Sequence, residues 1–171
     1  IDSSKWSSVY RTRTMEDGNS EVLSDRYCYL SAGNLVMPVV KENDTYYSAE
    51  LRTDYTFNQT YGCFTVRMKG PGSDITSGAN NAFWLLPSFG GWGNTYLYTY
   101  DGSQLACGEL DVVERSAYWG YGMWNTTQHI WNSVTGEKVS YSRSVNYTEY
   151  DSAVNGGFIE YTLAWTKNAI F

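Results

Sequence analysis

The chain is poor in the residues that build metal centres. Its 171 residues include one histidine, His129, and three cysteines, Cys28, Cys63 and Cys107. No two cysteines form a C-x-x-C pair, so the sequence argues against a zinc site, which needs several clustered His or Cys ligands. At most one internal disulfide can form, and we expect each cysteine by default to be a buried free thiol.

Basic residues are also few. Twelve Lys and Arg face 18 Asp and Glu, which gives a formal net charge of -6, and no basic cluster interrupts it. Nucleic-acid binding requires a positively charged surface for the phosphates, so no nucleic-acid partner is expected. A strongly anionic polymer would be repelled as well. The charge therefore favours a neutral partner.

Long apolar runs are missing too. No stretch approaches the roughly 20 apolar residues that span a bilayer, so no membrane partner is expected. The chain begins at Ile1 rather than Met, as a processed product would. Four asparagines lie in the N-glycosylation pattern, which carries weight only in a eukaryote: Asn43, Asn58, Asn125 and Asn146. Together these features predict a secreted, extracellular protein.

Aromatic residues are abundant and the patterns are those of strands. Tyr, Trp and Phe make up 17% of the chain, which suits a β core or a surface that stacks on flat ligands. No window predicts an amphipathic helix, and 171 residues without a linker predict one domain over 1–171. We expect strands near 34–40, 46–53, 61–68, 81–86, 108–114, 125–131, 138–144 and 158–165. The spacing predicts a sandwich of two antiparallel sheets.

The stretch GELDVVERS, residues 108–116, places three acids in an apolar run. Glu109 and Asp111 are two apart and share one face of a strand. Strict alternation would turn Glu114 to the other face, but one extra residue, a β-bulge, would return it. Acidic patterns of this length are usually solvated faces. The spacing nevertheless allows three carboxyl groups on one surface at a local irregularity.

Three carboxyls on one strand suit glycoside hydrolysis. One acid must protonate the leaving oxygen while a second attacks or activates water, and retention needs the two about 5–5.5 Å apart. An acid between two others would tune them, because three close carboxylates cannot all stay ionised. No redox or organic cofactor is required. Trp and Tyr on a concave sheet could stack on sugar rings.

Other aromatic positions allow two interpretations. The Gly-, Tyr- and Trp-rich stretch 88–103 before the acidic strand is either a binding loop or a surface loop over the sandwich end. Trp92, Trp119 and Trp124 are candidate stacking platforms, and core packing explains each equally well. His129 is either a structural residue or a group that faces Glu114 from a neighbouring strand and tunes its proton affinity.

Five motifs appear in a fixed order, and the set resembles glycoside hydrolase family 16, the laminarinase and lichenase group with a bulged acidic strand. They are YGCFTVRMK (61–69), NNAFWLLP (80–87), GELDVVE (108–114), the His of TTQH (126–129) and IEYTLAWT (159–166). The resemblance covers about residues 30–171. It implies a concanavalin A-like β-jelly-roll and a retaining, endo-acting enzyme on β-linked polysaccharide, foremost a β-1,3- or β-1,3-1,4-glucan.

The resemblance also assigns roles to individual residues. It implies that Glu109 is the nucleophile, Asp111 its helper and Glu114 the acid/base. Arg67 matches a position that often contacts sugar, and Trp84 lies on a strand that lines the cleft. Such sandwiches often carry a structural calcium ion, although no ligand set stands out here.

Two departures from the family pattern concern sugar binding. Thr65 stands where the family usually has an acid, and SQLAC (103–107) replaces a Trp-Pro found in many laminarinases. Both leave the acidic strand intact and bear on the preferred linkage. A transglycosylase with the same two Glu residues and a non-catalytic glucan-binding protein are the alternative functions, and the presence of all three acids counts against the second.

The end of the sequence carries a further expectation. IEYTLAWT predicts a strand, TKN a turn and AIF the opening of another strand, whereas family-16 enzymes continue with strands that complete both sheets. We therefore expect the C-terminal strands to come from outside this sequence. A C-terminal fragment or a second chain completing the fold would supply them.

Overall fold

A computed structural model describes most of the chain. The described residues are 2–15, 18–53, 56–70, 79–87, 97–98, 104–105, 107–115, 123–131, 137–146 and 157–171. All regular structure in these ranges is β-strand, and no helix in them has the length and apolarity needed to cross a bilayer. The chain divides into two compact units, Ile1–Gln59 and Thr60–Phe171. The expectation of one functional domain stays a prediction.

The first unit consists of short strands joined by tight turns. Its described strands form sheets ordered β2-β3-β7-β6, β4-β5 and β1-β8, in which β3 and β7 run parallel and the other pairs are antiparallel. The strands are β1 Ser7–Ser8, β2 Arg11–Thr14, β3 Ser20–Leu23, β4 Tyr29–Ser31, β5 Asn34–Val36, β6 Val40–Glu42, β7 Thr45–Ser48 and β8 Leu51–Arg52. Ala32 and Gly33 both have positive φ, 48° and 75°, as a two-residue hairpin turn between β4 and β5 requires.

The second unit holds the longer strands. Four of them form an antiparallel sheet in the order β10-β13-β14-β15, and β9 pairs with β16. The strands are β9 Gly62–Met68, β10 Asn81–Leu85, β11 Leu97–Tyr98, β12 Gln104–Leu105, β13 Cys107–Arg115, β14 Met123–Trp131, β15 Lys138–Asn146 and β16 Ile159–Trp165. After β16, residues 170–171 turn back and bond to it, with the Phe171 amide donating to the Ala164 carbonyl at 2.8 Å.

The predicted strands are confirmed, and two of them are divided. The stretch expected near 34–40 is two strands, β5 and β6, and Pro38 lies in the break, where it can donate no ladder hydrogen bond. The stretch expected near 46–53 is likewise β7 and β8. Strands β1 to β4 were not predicted, because they have two to four residues each and lack an apolar period.

The interior of the second unit lies between its four-stranded sheet and the β9–β16 pair. Val113 of β13 is 1% exposed and Leu163 of β16 is 6% exposed. The Trp124 ring of β14 meets the Tyr161 ring of β16 edge-on at 4.9 Å, an arrangement favoured by aromatic pairs. One face of the four-stranded sheet is thereby apolar. Its other face is left to carry polar side chains.

The thiols differ from expectation. Cys28 is a half-buried free thiol and Cys63 is an exposed one, so neither is the buried thiol predicted by default. Cys63 is exposed because side chains alternate along β9: Phe64 and Val66 face the interior, and Cys63 faces away. Burial raises the pKa of the Cys28 thiol. Cys107 begins β13.

Candidate active site

The acidic strand β13 contains the predicted bulge. Against β14, Asp111 pairs with Thr127 and Glu114 with Asn125, so three steps on β13 match two steps on β14. The pairing with β10 shifts at the same place. The Thr126 hydroxyl donates a hydrogen bond of 3.0 Å to the Asp111 carbonyl inside the irregularity. The extra residue brings Glu109, Asp111 and Glu114 onto one face, as the spacing predicted.

This acid-bearing face extends over three strands. Directly opposed residues of neighbouring strands share a face, and each acid lies opposite a polar residue of β14, which lies opposite a serine of β15. The three rows are Glu109–His129–Ser140, Asp111–Thr127–Ser142 and Glu114–Asn125–Ser144.

Each serine contacts its neighbour on β14. The Ser144 hydroxyl donates to Asn125 Oδ1 at 2.6 Å, the Ser142 hydroxyl donates to Thr127 Oγ1 at 3.1 Å, and Ser140 Oγ lies 2.6 Å from His129 Nδ1. Hydrogen bonds and contacts from the β15 serines therefore position the β14 side chains that lie opposite the acids.

Asp111 lies at the centre of the face and is 1% exposed. Burial, followed by the nearby Glu114 and Glu109 carboxyls, raises the pKa of Asp111 to about 8. Among the described residues, neither Asp111 carboxyl oxygen has a well-aligned hydrogen-bond partner, although the Glu109 carboxyl is close enough to share a proton with Asp111. Asp111 therefore carries a proton near neutral pH, which reduces the repulsion among the three acids.

The two glutamates are perturbed in the same direction. Burial raises the pKa of Glu114, and the charge of Glu109 adds to the effect. Burial also raises the pKa of Glu109, but a hydrogen bond from Asp111 and the nearby Lys138 ammonium oppose the increase. The surroundings thus favour a proton on Glu114 and offer Glu109 partners for its ionised form. An acid and a nucleophile need this difference.

His129 joins the site at a different place from the one predicted. It lies opposite Glu109 rather than Glu114, and its Nε2 is 3.3 Å from Asp111 Oδ2. The expectation that His129 faces Glu114 is wrong, because the bulge and the register place Asn125 there. Burial, with Lys138 nearby, lowers the pKa of His129. The imidazole is therefore neutral at neutral pH.

Two tryptophans flank the acids on this face. Trp84 of β10 lies opposite Asp111, on a strand bordering the acids as predicted. Trp131 of β14 was not predicted, yet it lies two residues beyond His129 and its ring is 5.7 Å from the imidazole. The Lys138 ammonium lies 5.7 Å from the Trp131 ring centroid. Both rings offer an apolar surface beside the carboxyls.

Two residues predicted to bind substrate lie elsewhere. Trp124 is on the opposite face of β14, against Tyr161, so its core-packing interpretation is the one that the structure shows. Arg67 alternates with the interior-facing Val66 on β9, and its guanidinium lies over the Phe158 ring at 4.4 Å. Strand alternation therefore turns Arg67 away from the four-stranded sheet, which corrects its assignment to the sugar site. Trp92 and Trp119 lie outside the described residues.

The structure also locates Thr65 and Asn125 relative to the acid-bearing face. Thr65, the departure from the family pattern, lies on the same side of β9 as Arg67 and is 2.9 Å from Thr162. It does not touch the acids. Asn125, one of the four candidate glycosylation sites, is 7% exposed and bonded to Ser144, so it cannot carry a glycan in the folded chain.

The acid cluster can be compared with the ligand set that calcium takes. Among the described residues the cluster of Glu109, Asp111 and His129 is the one group of three metal-binding side chains, with candidate atoms within 4.8 Å of one another. Calcium takes six to eight oxygen ligands, whereas this set offers two carboxyl groups and one imidazole. The structural calcium ion stays a prediction.

Proteins similar to this chain in sequence or structure are glycoside hydrolases. The chain matches no protein-family model. It is 31% identical over 125 residues to the endo-1,3-1,4-beta-glycanases EglC and ExsH of Rhizobium meliloti strain 1021. The match includes 73% of this chain and 22% of each relative, so the chain spans about a fifth of their length.

Solved structures match nearly the whole chain. A glycoside hydrolase family 16 endo-glucanase from Bacteroides ovatus aligns with a TM-score of 0.75 at 16% identity, over 99% of this chain and 69% of that one. The laminarinase catalytic domain of Thermotoga maritima aligns with a TM-score of 0.66 at 19% identity, over 99% and 67%. The resemblance drawn from the motifs is confirmed, and so is the jelly-roll fold.

Proposed function

We propose that this chain, which has the jelly-roll fold of family-16 glycoside hydrolases, is the catalytic part of a retaining, endo-acting enzyme that cleaves a β-1,3- or β-1,3-1,4-glucan. The observation that carries the proposal is the set of three carboxyls on one face of β13, all with raised pKa. Crowding three carboxyl groups on one face is unfavourable when they are ionised, and clusters with perturbed pKa values of this kind are typical of active sites.

The first step is attack on the sugar. Glu109 is the nucleophile: its ionised form receives the hydrogen bond from protonated Asp111 and lies near Lys138. Its carboxylate bonds to the anomeric carbon while the bond to the leaving oxygen breaks. Glu114 is the acid: burial and the charge of Glu109 raise its pKa, and it transfers a proton to the leaving oxygen.

The second step releases the product. Glu114, now ionised, takes a proton from water, and the water oxygen displaces Glu109 from the anomeric carbon. Two inversions at one carbon give net retention. Asp111 keeps its proton through both steps.

The surroundings of the acids support a neutral polymer as substrate. The net charge of -6 disfavours anionic chains, and Trp84 and Trp131 supply flat apolar surfaces on which sugar rings stack. A polymer substrate cannot enter a cell intact, so we also propose that the enzyme acts outside the cell. The names of the Rhizobium relatives support the mixed-linkage choice.

A reducing-sugar screen tests the proposal. The purified chain is incubated with laminarin, mixed-linkage β-glucan, cellulose and agarose, and Glu109→Gln, which keeps the side-chain shape, is the matched control. We expect new reducing ends with one of the first two polymers and none with the variant. Binding without cleavage would favour a glucan-binding protein. Longer products on addition of a sugar acceptor would favour a transglycosylase.

The stereochemistry is a separate test. Proton NMR of the first-formed product, recorded before mutarotation, should show the β-anomer. An α-anomer would require a water between the two glutamates and would rule out the double displacement.

A further inference from the structure

His129 is held on both sides of its ring. Its Nδ1 is 2.6 Å from Ser140 Oγ on β15, and its Nε2 is 3.3 Å from Asp111 Oδ2 on β13. The imidazole therefore bridges an exposed serine and the most deeply buried acid of the site. Because the ring has one proton when neutral, its two contacts cannot both be donated by the ring.

We propose that Ser140 is a positioning residue whose hydroxyl donates to His129 Nδ1 and so keeps the ring proton on Nε2, directed at Asp111. The part of this inference that concerns the reaction rests on the proposed function. The part that concerns the tautomer does not.

The proton count at Asp111 favours this arrangement. Asp111 is protonated near neutral pH and uses its proton toward Glu109. Its other oxygen can then accept from an Nε2–H. If the ring proton sat on Nδ1, the bare Nε2 would compete with Glu109 for the Asp111 proton. Among the described residues, the charged or titratable groups near the ring are Glu109 and Asp111 from β13 and Lys138 from β15.

The His129 tautomer affects Glu109 through the hydrogen bond that Asp111 donates to it. The hydrogen bond from Asp111 lowers the pKa of Glu109 against the effect of burial. Without Ser140, His129 could take up the Asp111 proton and Glu109 would lose this partner. Glu109 would then hold its own proton at higher pH, and the nucleophile would be unavailable in acidic solution.

The tautomer can be measured directly because His129 is the only histidine in the chain. A long-range proton–nitrogen NMR spectrum at neutral pH contains one imidazole, so it needs no assignment. We expect the wild-type pattern of an Nε2–H ring, and a change toward the Nδ1–H pattern in Ser140→Ala. Ser140→Thr, which restores a hydroxyl on a strand, should return the wild-type pattern. An Nδ1–H ring in the wild type, or an unchanged spectrum in Ser140→Ala, overturns the proposal.

Activity provides the second measurement. In Ser140→Ala we expect the acidic limb of the kcat/KM profile to move up by about one pH unit, a roughly tenfold loss on that limb. Ser142→Ala is the matched control: it removes the same group two residues along, where the partner is the non-titrating Thr127. It should move neither the limb nor the spectrum.

The outcomes separate the two proposals. A changed tautomer with an unmoved acidic limb refutes the link between Ser140 and the reaction. A changed tautomer in a chain that cleaves no glucan refutes the proposed function and upholds the tautomer assignment. Thermal unfolding of each variant confirms that it is folded.

Discussion

Replacing Asp111 with Asn should change how stability depends on pH. Asp111 is 1% exposed and its pKa is raised from 3.8 to about 8, because burial and the neighbouring Glu114 and Glu109 disfavour its charge. The folded chain therefore keeps a proton that the unfolded chain releases. Stability from this group is complete below about pH 4 and is lost as the pH rises toward 8.

The size of the effect follows from the two pKa values. Each tenfold difference in the acid dissociation constant corresponds to about 1.4 kcal/mol. The change from 3.8 to about 8 therefore lowers the free energy of unfolding by roughly 4 kcal/mol at pH 7 and by at most about 6 kcal/mol above pH 8. Asn has nearly the same shape and cannot ionise, so Asp111→Asn should remove this part of the pH dependence.

Urea unfolding between about pH 4 and pH 9, followed by tryptophan fluorescence, measures the effect. We expect the wild-type free energy of unfolding to fall across this range and that of Asp111→Asn to fall several kcal/mol less. Asp25→Asn is the control that should leave the slope in this range unchanged. Hydrogen bonds from Ser8 and Tyr10 lower the pKa of Asp25, so its contribution to stability is lost only as the pH falls below about 4. A wild-type slope retained in Asp111→Asn would refute the assignment of the buried proton.

Three further predictions concern single side chains. Glu114→Gln should lower kcat on glucan by more than about 100-fold, but it should lower kcat much less on an aryl glycoside whose leaving group needs no proton. Equal losses of kcat on both substrates would show that Glu114 is not the acid. Trp131→Ala should raise KM for glucan by about tenfold with little change in kcat. Trp124→Phe changes a core residue, so it should lower the unfolding midpoint and leave KM unchanged, and steady-state kinetics on both variants separates a binding residue from a packing residue. Thr126→Val should lower stability by about 1 kcal/mol in urea unfolding by removing the hydrogen bond to the Asp111 carbonyl, and Thr126→Ser should not.

The acidic strand is the part of the site that could be predicted most completely. The spacing of Glu109, Asp111 and Glu114 admits one common face only with an extra residue, and the structure contains it. Spacing within one strand does not show which residue of β14 lies opposite each acid of β13, because the register depends on contacts between strands. The prediction that His129 faces Glu114 therefore misplaces it by two rows.

Strand parity explains the tryptophan predictions. Trp131 is two residues from His129 and must share its face, while Trp124 is five residues from it and must lie on the other. This count was available from the sequence and would have selected Trp131. Arg67 follows the same rule, since Phe64 and Val66 define the interior side of β9.

The first unit was the least predictable. Its β2, of sequence RTRT, is exposed at every position, so no apolar alternation marks it as a strand. Such strands are specified by their partners: β2 pairs with β3, and β3 pairs with β7, which follows it by more than 20 residues. Long-range pairing of this kind leaves no local signal.

The bulge in β13 relates the shared face of the acids to the number of residues between Asp111 and Glu114. Deleting Val112 would remove the extra residue and leave the three acids spaced two apart. Strict alternation alone would then keep Glu109, Asp111 and Glu114 on one face and Val113 on the interior face. The shared face of the acids is therefore compatible with a bulged strand that contains Val112 and with a regular strand that lacks it, whereas a regular strand that kept Val112 would turn Glu114 toward the interior.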